Sequence, residues 1–210
     1  MIKAIIFDLD NCVFDTSSMG GGVVEPVYKV LFDSSLPEET KLAARAAMKT
    51  DALPVVLERF SIPAEIGNAM RAEYCNMVLP PERNAATYGD DHYIKNFAVL
   101  KFLVTTGYEK FQRSKIERVG IASLFDEVRI DIVDDPKNIK GKKRIFEEIL
   151  AEYKLQKEEV LVVGDNPRSE LQAAKELGII AIQSLRPGVQ KWGDADYHIE
   201  SFSELAALIK

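Results

Sequence analysis

Ala4-Ile5-Ile6-Phe7-Asp8-Leu9-Asp10 runs four apolar residues straight into two carboxylates spaced two apart. An unbroken apolar run of this length reads as a strand buried on both faces, as in a parallel sheet. Side chains two apart on a strand point the same way, so Asp8 and Asp10 would aim at one spot where the strand ends. Open α/β sheets place ligands just beyond the carboxyl ends of their strands. Two carboxylates crowded there repel, and one holds a proton unless a cation sits between them. Taken alone, the same stretch fits a strand ending in solvated acids, and only the rest of the chain decides between the two.

The stretch after Asp10 ends in Gly20-Gly21-Gly22, a flexible joint or a surface loop. From Glu25 to Met77 the pattern is helical. Pro26 suits a first turn with Val27, Val30 and Leu31 on one face. Pro37 opens a second helix through Ala43 and Ala47. Asp51 reads as the N-cap of a third, carrying Leu53, Val56, Leu57 and Phe60. Pro63 opens a fourth, with Ile66, Met70, Tyr74 and Met77 along one stripe, and Pro80-Pro81 closes it. No strand pattern interrupts these helices. The shift in composition marks residues 17–88 as an inserted all-helical unit and leaves 1–16 and 89–210 as an α/β core.

Alternation of strand and helix then resumes. Leu100 to Thr105 reads as a strand, Tyr108 to Val119 as a helix closed by Gly120, and Val128 to Val133 as a further strand. Ile145, Phe146, Ile149, Leu150 and Tyr153 mark a helix. Val160 to Val163 is a second fully buried strand ending at Gly164-Asp165. Leu171, Ala174 and Leu177 give a helix closed by Gly178, and Ile179 to Ile182 a short buried strand. Tyr197 to Ile199 is an edge strand before a final helix from Phe202 to Ile209. This order predicts crossovers and a mostly parallel sheet.

In such a sheet three strand ends fall on one edge, bringing together Asp8 and Asp10, Thr105 and Thr106, and Asp165. Carboxylates with hydroxyls suit a hard cation such as Mg²⁺, which takes a few carboxylates, waters and a phosphate oxygen. The two histidines and two cysteines are not clustered as zinc requires. Lys137, Lys140, Lys142 and Lys143 are candidates to neutralise a phosphate, with Lys140 just ahead of the helix that carries Ile145 and Phe146.

These motifs resemble the haloacid dehalogenase superfamily of phosphohydrolases, whose core is Rossmann-like. Phe7-Asp8-Leu9-Asp10-Asn11 is similar to its nucleophile loop, and Leu103-Val104-Thr105-Thr106-Gly107 to its second motif. Lys140, six residues ahead of Phe146, is similar to the phosphate-binding lysine; a register slip brings in Lys142 or Lys143 instead. Val162-Val163-Gly164-Asp165-Asn166-Pro167, with Glu170 beyond, is similar to the metal-binding motif. The resemblance implies that Asp8 forms an aspartyl-phosphate and that Asp10 protonates the leaving oxygen and then deprotonates water. It implies phosphate binding by Thr105, Thr106 and Lys140, and Mg²⁺ held by the Asp8 and Asp165 side chains and the Asp10 carbonyl. Glu170 would order water around the metal. The helical insert would be a cap closing over the site.

The expected function is a Mg²⁺-dependent phosphatase of a small phosphorylated metabolite, of the nucleotide or sugar phosphate class. The alternatives are a sugar-phosphate mutase on the same core and a catalytically inactive binding domain. Asp10 favours phosphate esters over halides, because dehalogenase-type members lack an acid there. The net charge of −6 and the absence of a basic run argue against a nucleic acid polymer and an anionic membrane surface. No apolar stretch approaches the roughly 20 residues of a transmembrane helix. An N-terminus that enters a strand at once, with only Cys12 and Cys75 as thiols, predicts a cytoplasmic protein. Cys12, Cys75, His92, His198 and Trp192 read as packing or surface residues.

Overall fold

The structure is a computed structural model that describes residues 1–209. Its elements in chain order are β1 (Ala4–Phe7), β2 (Phe14–Asp15), α1 (Glu25–Asp33), α2 (Glu38–Ala47), α3 (Leu53–Arg59), α4 (Ala64–Asn76) and β3 (Ala86–Thr87). They continue as β4 (Leu100–Gly107), α5 (Glu109–Val119), β5 (Glu127–Ile132), α6 (Lys142–Glu152), β6 (Val160–Gly164), α7 (Glu170–Leu177), β7 (Ile180–Ser184) and β8 (Tyr197–Ile199). Six strands form one sheet in the order β5-β4-β1-β6-β7-β8, and every pairing is parallel. The opening stretch therefore lies at the centre, with β4 on one side and β6 on the other.

All four residues of β1 are buried because the sheet is covered on both faces. Ile5 and Phe7 point to one side, where they join Leu103, Leu161, Val163, Ile116, Phe125 and Phe202. Ala4 and Ile6 point to the other and join Phe102, Val162, Ile145, Phe146, Ile149 and Leu171. The unbroken apolar run thus serves two cores at once, one residue to each in turn.

The four helices between β2 and β3 pack around a third cluster that includes Val27, Leu31, Ala44, Val56 and Met70. Tyr108, Phe111 and Val133, from beside the sheet, complete that cluster. The chain enters and leaves the helical segment side by side, since β2 and β3 form an antiparallel ladder pairing Phe14 with Thr87 and Asp15 with Ala86.

Two local expectations are corrected. Asp51 does not cap α3; Ala52 occupies the cap position. The Asp51 carboxylate instead pairs with Arg59 at 2.7 Å and with Arg168 at 3.0 Å, giving two guanidinium partners in place of one backbone amide. The final segment is not an α-helix but a run of 3₁₀ turns over Phe202–Ala207. Its two buried residues, Phe202 and Leu205, are three apart, the period of a 3₁₀ turn, and a reciprocal Ser201–Glu204 cap tightens its start.

Candidate active site

Asp8 follows β1 directly, and its backbone N–H donates to the Val163 carbonyl at 2.9 Å, which ties the first acid to the strand that leads to Asp165. The chain turns sharply beyond it. The Leu9 carbonyl accepts from the N–H groups of Cys12, Val13 and Phe14, and Asn11 takes a left-handed φ of 54°. This turn brings Asp10 back over the edge of the sheet, beside α5.

Asp8, Asp165 and Glu170 each place a carboxylate oxygen within 4.8 Å of the others. The three come from the ends of β1 and β6 and from the first residue of α7. Gly164 makes the approach possible: a Cβ there would lie 2.3 Å from Glu170 Cγ and Oε1. Only a residue without a side chain lets the Glu170 carboxylate pass this close to the strand end. The Glu170 Oε1 atom accepts from the Asn166 N–H at 2.7 Å.

The cation of this group is Lys142. Its Nζ lies 2.6 Å from Asp8 Oδ1 and 2.7 Å from Glu170 Oε2, and all three side chains are at most 7% exposed. Lys140 is the correction: its ammonium faces outward onto Glu148 at 2.9 Å and is half exposed. The physical reason is helical phase. Lys142 opens α6 and stands three residues before Ile145, on the buried stripe that continues through Phe146 and Ile149. Lys140 precedes the helix and has no place on that stripe. Its backbone N–H is instead held by Asp131 Oδ1 at 2.9 Å, while Asp131 Oδ2 accepts from Gly141 N–H at 3.1 Å. Asp131, a buried residue of β5, anchors the turn that aims Lys142 inward. Lys143 is also turned away, pairing with Glu176 at 2.9 Å.

Burial pushes the Asp8 carboxyl up to about 7 against the pull of Lys142, with the charges of Glu170 and Asp10 adding to the rise. Burial likewise pushes Asp165 up to about 8, reinforced by Glu170 and Asp8. Burial works against the Lys142 charge, but the two carboxylates outweigh it and hold the ammonium above its ordinary range. The group as it stands has more buried negative charge than one lysine can balance. An all-oxygen donor set in that condition fits a hard divalent cation such as Mg²⁺.

The remaining predicted residues divide. Thr105 is buried at the end of β4, and its hydroxyl oxygen lies 2.7 Å from Gln112 Nε2. Thr106, next along the strand, turns the other way, with its hydroxyl 3.5 Å from Asp131 Oδ2. Its side chain belongs to the turn anchor and is not grouped with Asp8. The Asp10 carboxylate takes Lys115 and Gln112 of α5 as partners. Cys12 is fully buried with its thiol directed at the Val163 carbonyl, the packing position expected of it.

The sequence did not single out Arg186. This buried guanidinium donates to the Cys12 carbonyl at 3.0 Å and takes Asp90 in a two-pronged pair at 2.9 Å on each side. It also lies 4.5 Å from the ring centres of both Tyr88 and Phe202. It ties the loop beyond Asp10 to Asp90 and to the Glu200 carbonyl. On the opposite side, the loop between α2 and α3 reaches the Asp165 loop: Asn166 Nδ2 donates to the Thr50 carbonyl at 3.0 Å, next to the Arg168–Asp51 pair.

Residues 92–183 match the model of the haloacid dehalogenase-like hydrolase family. Over its whole length the chain is 26% identical to a glyceraldehyde 3-phosphate phosphatase of Methanocaldococcus jannaschii, covering 98% of that protein. The fold is similar to that of CbbY from Rhodobacter sphaeroides, solved in complex with phosphate, with a TM-score of 0.67 and 20% identity over 98% of this chain and 96% of that one. It is also similar to the HAD-hydrolase YfnB of Bacillus subtilis, solved bound to magnesium, with a TM-score of 0.61 and 13% identity over 100% of this chain and 99% of that one. Among the described residues no helix is long and apolar enough to cross a membrane. Residues 92–183 thus match the haloacid dehalogenase-like hydrolase family, and the chain as a whole shares its fold with solved proteins of that name.

Proposed function

We propose that this chain is a Mg²⁺-dependent phosphatase that hydrolyses a small phosphorylated metabolite through an aspartyl-phosphate on Asp8. The observation that carries this reading is the buried Asp8–Lys142–Glu170 chain with Asp165 beside it. It supplies a carboxylate nucleophile, a fixed cation for an anionic phosphoryl group, and oxygen donors for a metal. Asp8 and Asp165 would hold the ion directly, because Glu170 already serves Lys142 and Asn166. The metal would offset the charge that otherwise keeps a carboxylate from approaching a phosphate dianion.

In the first half-reaction an Asp8 oxygen bonds to phosphorus, the bond from phosphorus to the ester oxygen breaks, and Asp10 gives that oxygen its proton. In the second, water attacks the phosphorus, Asp10 takes the proton from the water, and phosphate leaves with Asp8 restored. Thr105 donates its hydroxyl hydrogen to the phosphoryl oxygens, and Lys142 balances their charge. The helical segment 17–88 acts as a cap that excludes water, with the Thr50–Asp51 loop resting on the Asp165 loop when closed. Its M. jannaschii relative, named for a three-carbon aldehyde phosphate, makes short sugar phosphates the first substrates to screen. Two unbridged thiols fit a reducing, cytoplasmic setting.

The test is a screen for phosphate release from metabolite phosphates, with and without Mg²⁺, comparing wild type with Asp8→Asn. Release that needs both the metal and Asp8 is the expected result. Release that persists in Asp8→Asn would defeat the assignment of the nucleophile. Isomer formation without net phosphate would point to a mutase.

A further inference from the structure

We propose that Lys115 is the positioning residue of this site: its ammonium, acting with Gln112, fixes the direction of both the Asp10 carboxylate and the Thr105 hydroxyl. The proposal rests on the phosphatase reading above and adds a residue outside its four motifs.

Lys115 lies on α5, is 4% exposed, and faces inward together with Phe111, Gln112 and Ile116. Its Nζ is 2.8 Å from Asp10 Oδ1, 3.0 Å from Asp10 Oδ2 and 2.7 Å from Gln112 Oε1. An ammonium has three hydrogens and no lone pair, and these contacts use all three. The Phe111 ring, centred 4.4 Å from Nζ, closes another side. The head group therefore has one position and one set of partners.

That position decides the orientation of Gln112. Since the ammonium can only donate, the amide oxygen of Gln112 must face it, and the amide nitrogen must face the other way. There Nε2 lies 2.9 Å from Asp10 Oδ2 and 2.7 Å from Thr105 Oγ1. The Thr105 oxygen thus accepts from Gln112, which leaves its own hydrogen for a phosphoryl oxygen. Asp10, gripped by two donors, stays 28% exposed, so its carboxyl keeps an open edge for the ester oxygen. The backbone is shaped to allow this arrangement. A Cβ on Gly107 would lie 2.8 Å from both Cγ and Cδ of Gln112, so the strand end carries no side chain where the amide passes.

A lysine that merely filled the core would matter equally for every substrate. One that aims the proton-transfer group matters most where the leaving oxygen needs a proton. Lys115→Met, Lys115→Arg and Gln112→Leu would be assayed at saturating Mg²⁺ on an alkyl phosphate, glycerol phosphate, and on nitrophenyl phosphate, whose leaving group departs unprotonated. Lys115→Met should lower kcat/KM, which reports formation of the aspartyl-phosphate, by about 10²-fold on the alkyl ester and by less than about tenfold on the aryl ester, whereas kcat falls on both because Asp10 also serves the shared hydrolysis step. Lys115→Arg should restore most of the alkyl activity. Thermal melting should fall because a buried ammonium is lost from beside Asp10, but the Mg²⁺-induced shift in melting should stay close to wild type. Equal losses of kcat/KM on both esters, or no loss on either, would overturn the proposal. If Lys115→Met does not fold, Gln112→Leu carries the test: the same preference for the aryl ester supports the proposal, and its absence overturns it. Wild-type protein that releases phosphate from neither ester overturns instead the phosphatase reading beneath it.

Discussion

Replacing Lys142 by Met and, separately, Lys140 by Met separates the two assignments of the phosphate-binding cation. Lys142 sits among Asp8 and Glu170 with its side chain 6% exposed and theirs 7% and 2%. Removing one member of a buried ionic group leaves uncompensated charge and costs about 3–5 kcal/mol. In a chain of this size that is a fall in melting temperature on the order of 10 °C. Because a bound divalent ion would stand in for part of the lost charge, the melt is best followed by circular dichroism in chelator. Mg²⁺ should then narrow the gap to wild type. Lys140 pairs with Glu148 in solvent, where screening leaves such a pair with little net effect, so Lys140→Met should melt as wild type does. Activity should follow the same split. Loss of the fixed cation over the transferring phosphoryl should lower kcat by about 10²–10³-fold in Lys142→Met. Lys140→Met should retain full turnover. If Lys140→Met is the inactive variant, or if the two variants melt alike in chelator, the reasoning from helical phase is wrong.

Two further outcomes are expected. Gly164→Ala places a Cβ 2.3 Å from the Glu170 carboxylate, and because backbone and a buried ion pair meet there, neither side can yield freely. It should cost about 1–3 kcal/mol in urea unfolding and weaken Mg²⁺ binding measured by calorimetry; unchanged affinity would show that Glu170 does not bear on the metal. The second concerns pH. The folded-state value for Asp165 is raised by burial from 3.8 to about 8, so between these values the native state binds more protons than the unfolded chain. Its contribution to stability therefore falls as pH rises through that window. Metal-free Asp165→Asn should gain melting temperature relative to wild type progressively from about pH 5 to about pH 8. A difference independent of pH would refute the burial argument.

The fold was largely legible because its signals are local. Ala4–Phe7 and Val160–Gly164 are buried on both faces, and such strands announce themselves as continuous apolar runs. Asp8, Thr105, Asp165 and Glu170 could be placed because strand ends converge in a parallel sheet whatever the loops do. Lys140 was favoured on linear spacing, which carries no rotation; the phase of α6, with Lys142 leading the stripe of Ile145, Phe146 and Ile149, held the answer. The same embedded-polar signal marks Gln112 and Lys115, which sit on the buried face of α5 beside Phe111 and Ile116. Arg186 gave no such sign. Its partners Cys12, Asp90 and Glu200 are scattered along the chain, and nothing periodic joins them. Asp51 could not be read correctly either, because its choice between a helix amide and two guanidinium groups depends on Arg168, more than a hundred residues away.

The central place of β1 sets a condition on how the protein is made. In the sheet β1 hydrogen-bonds to segments near residues 100 and 160, so it has no lateral neighbour until close to a hundred further residues have been translated and gains its second only some sixty residues later. At ordinary elongation speeds that wait is on the order of 10 s, during which a bare aliphatic segment is open to chaperones or to aggregation. Overproduction at lowered temperature, or with a holdase present, should accordingly raise the soluble yield of this chain more than it would for a protein whose first strand closes a hairpin.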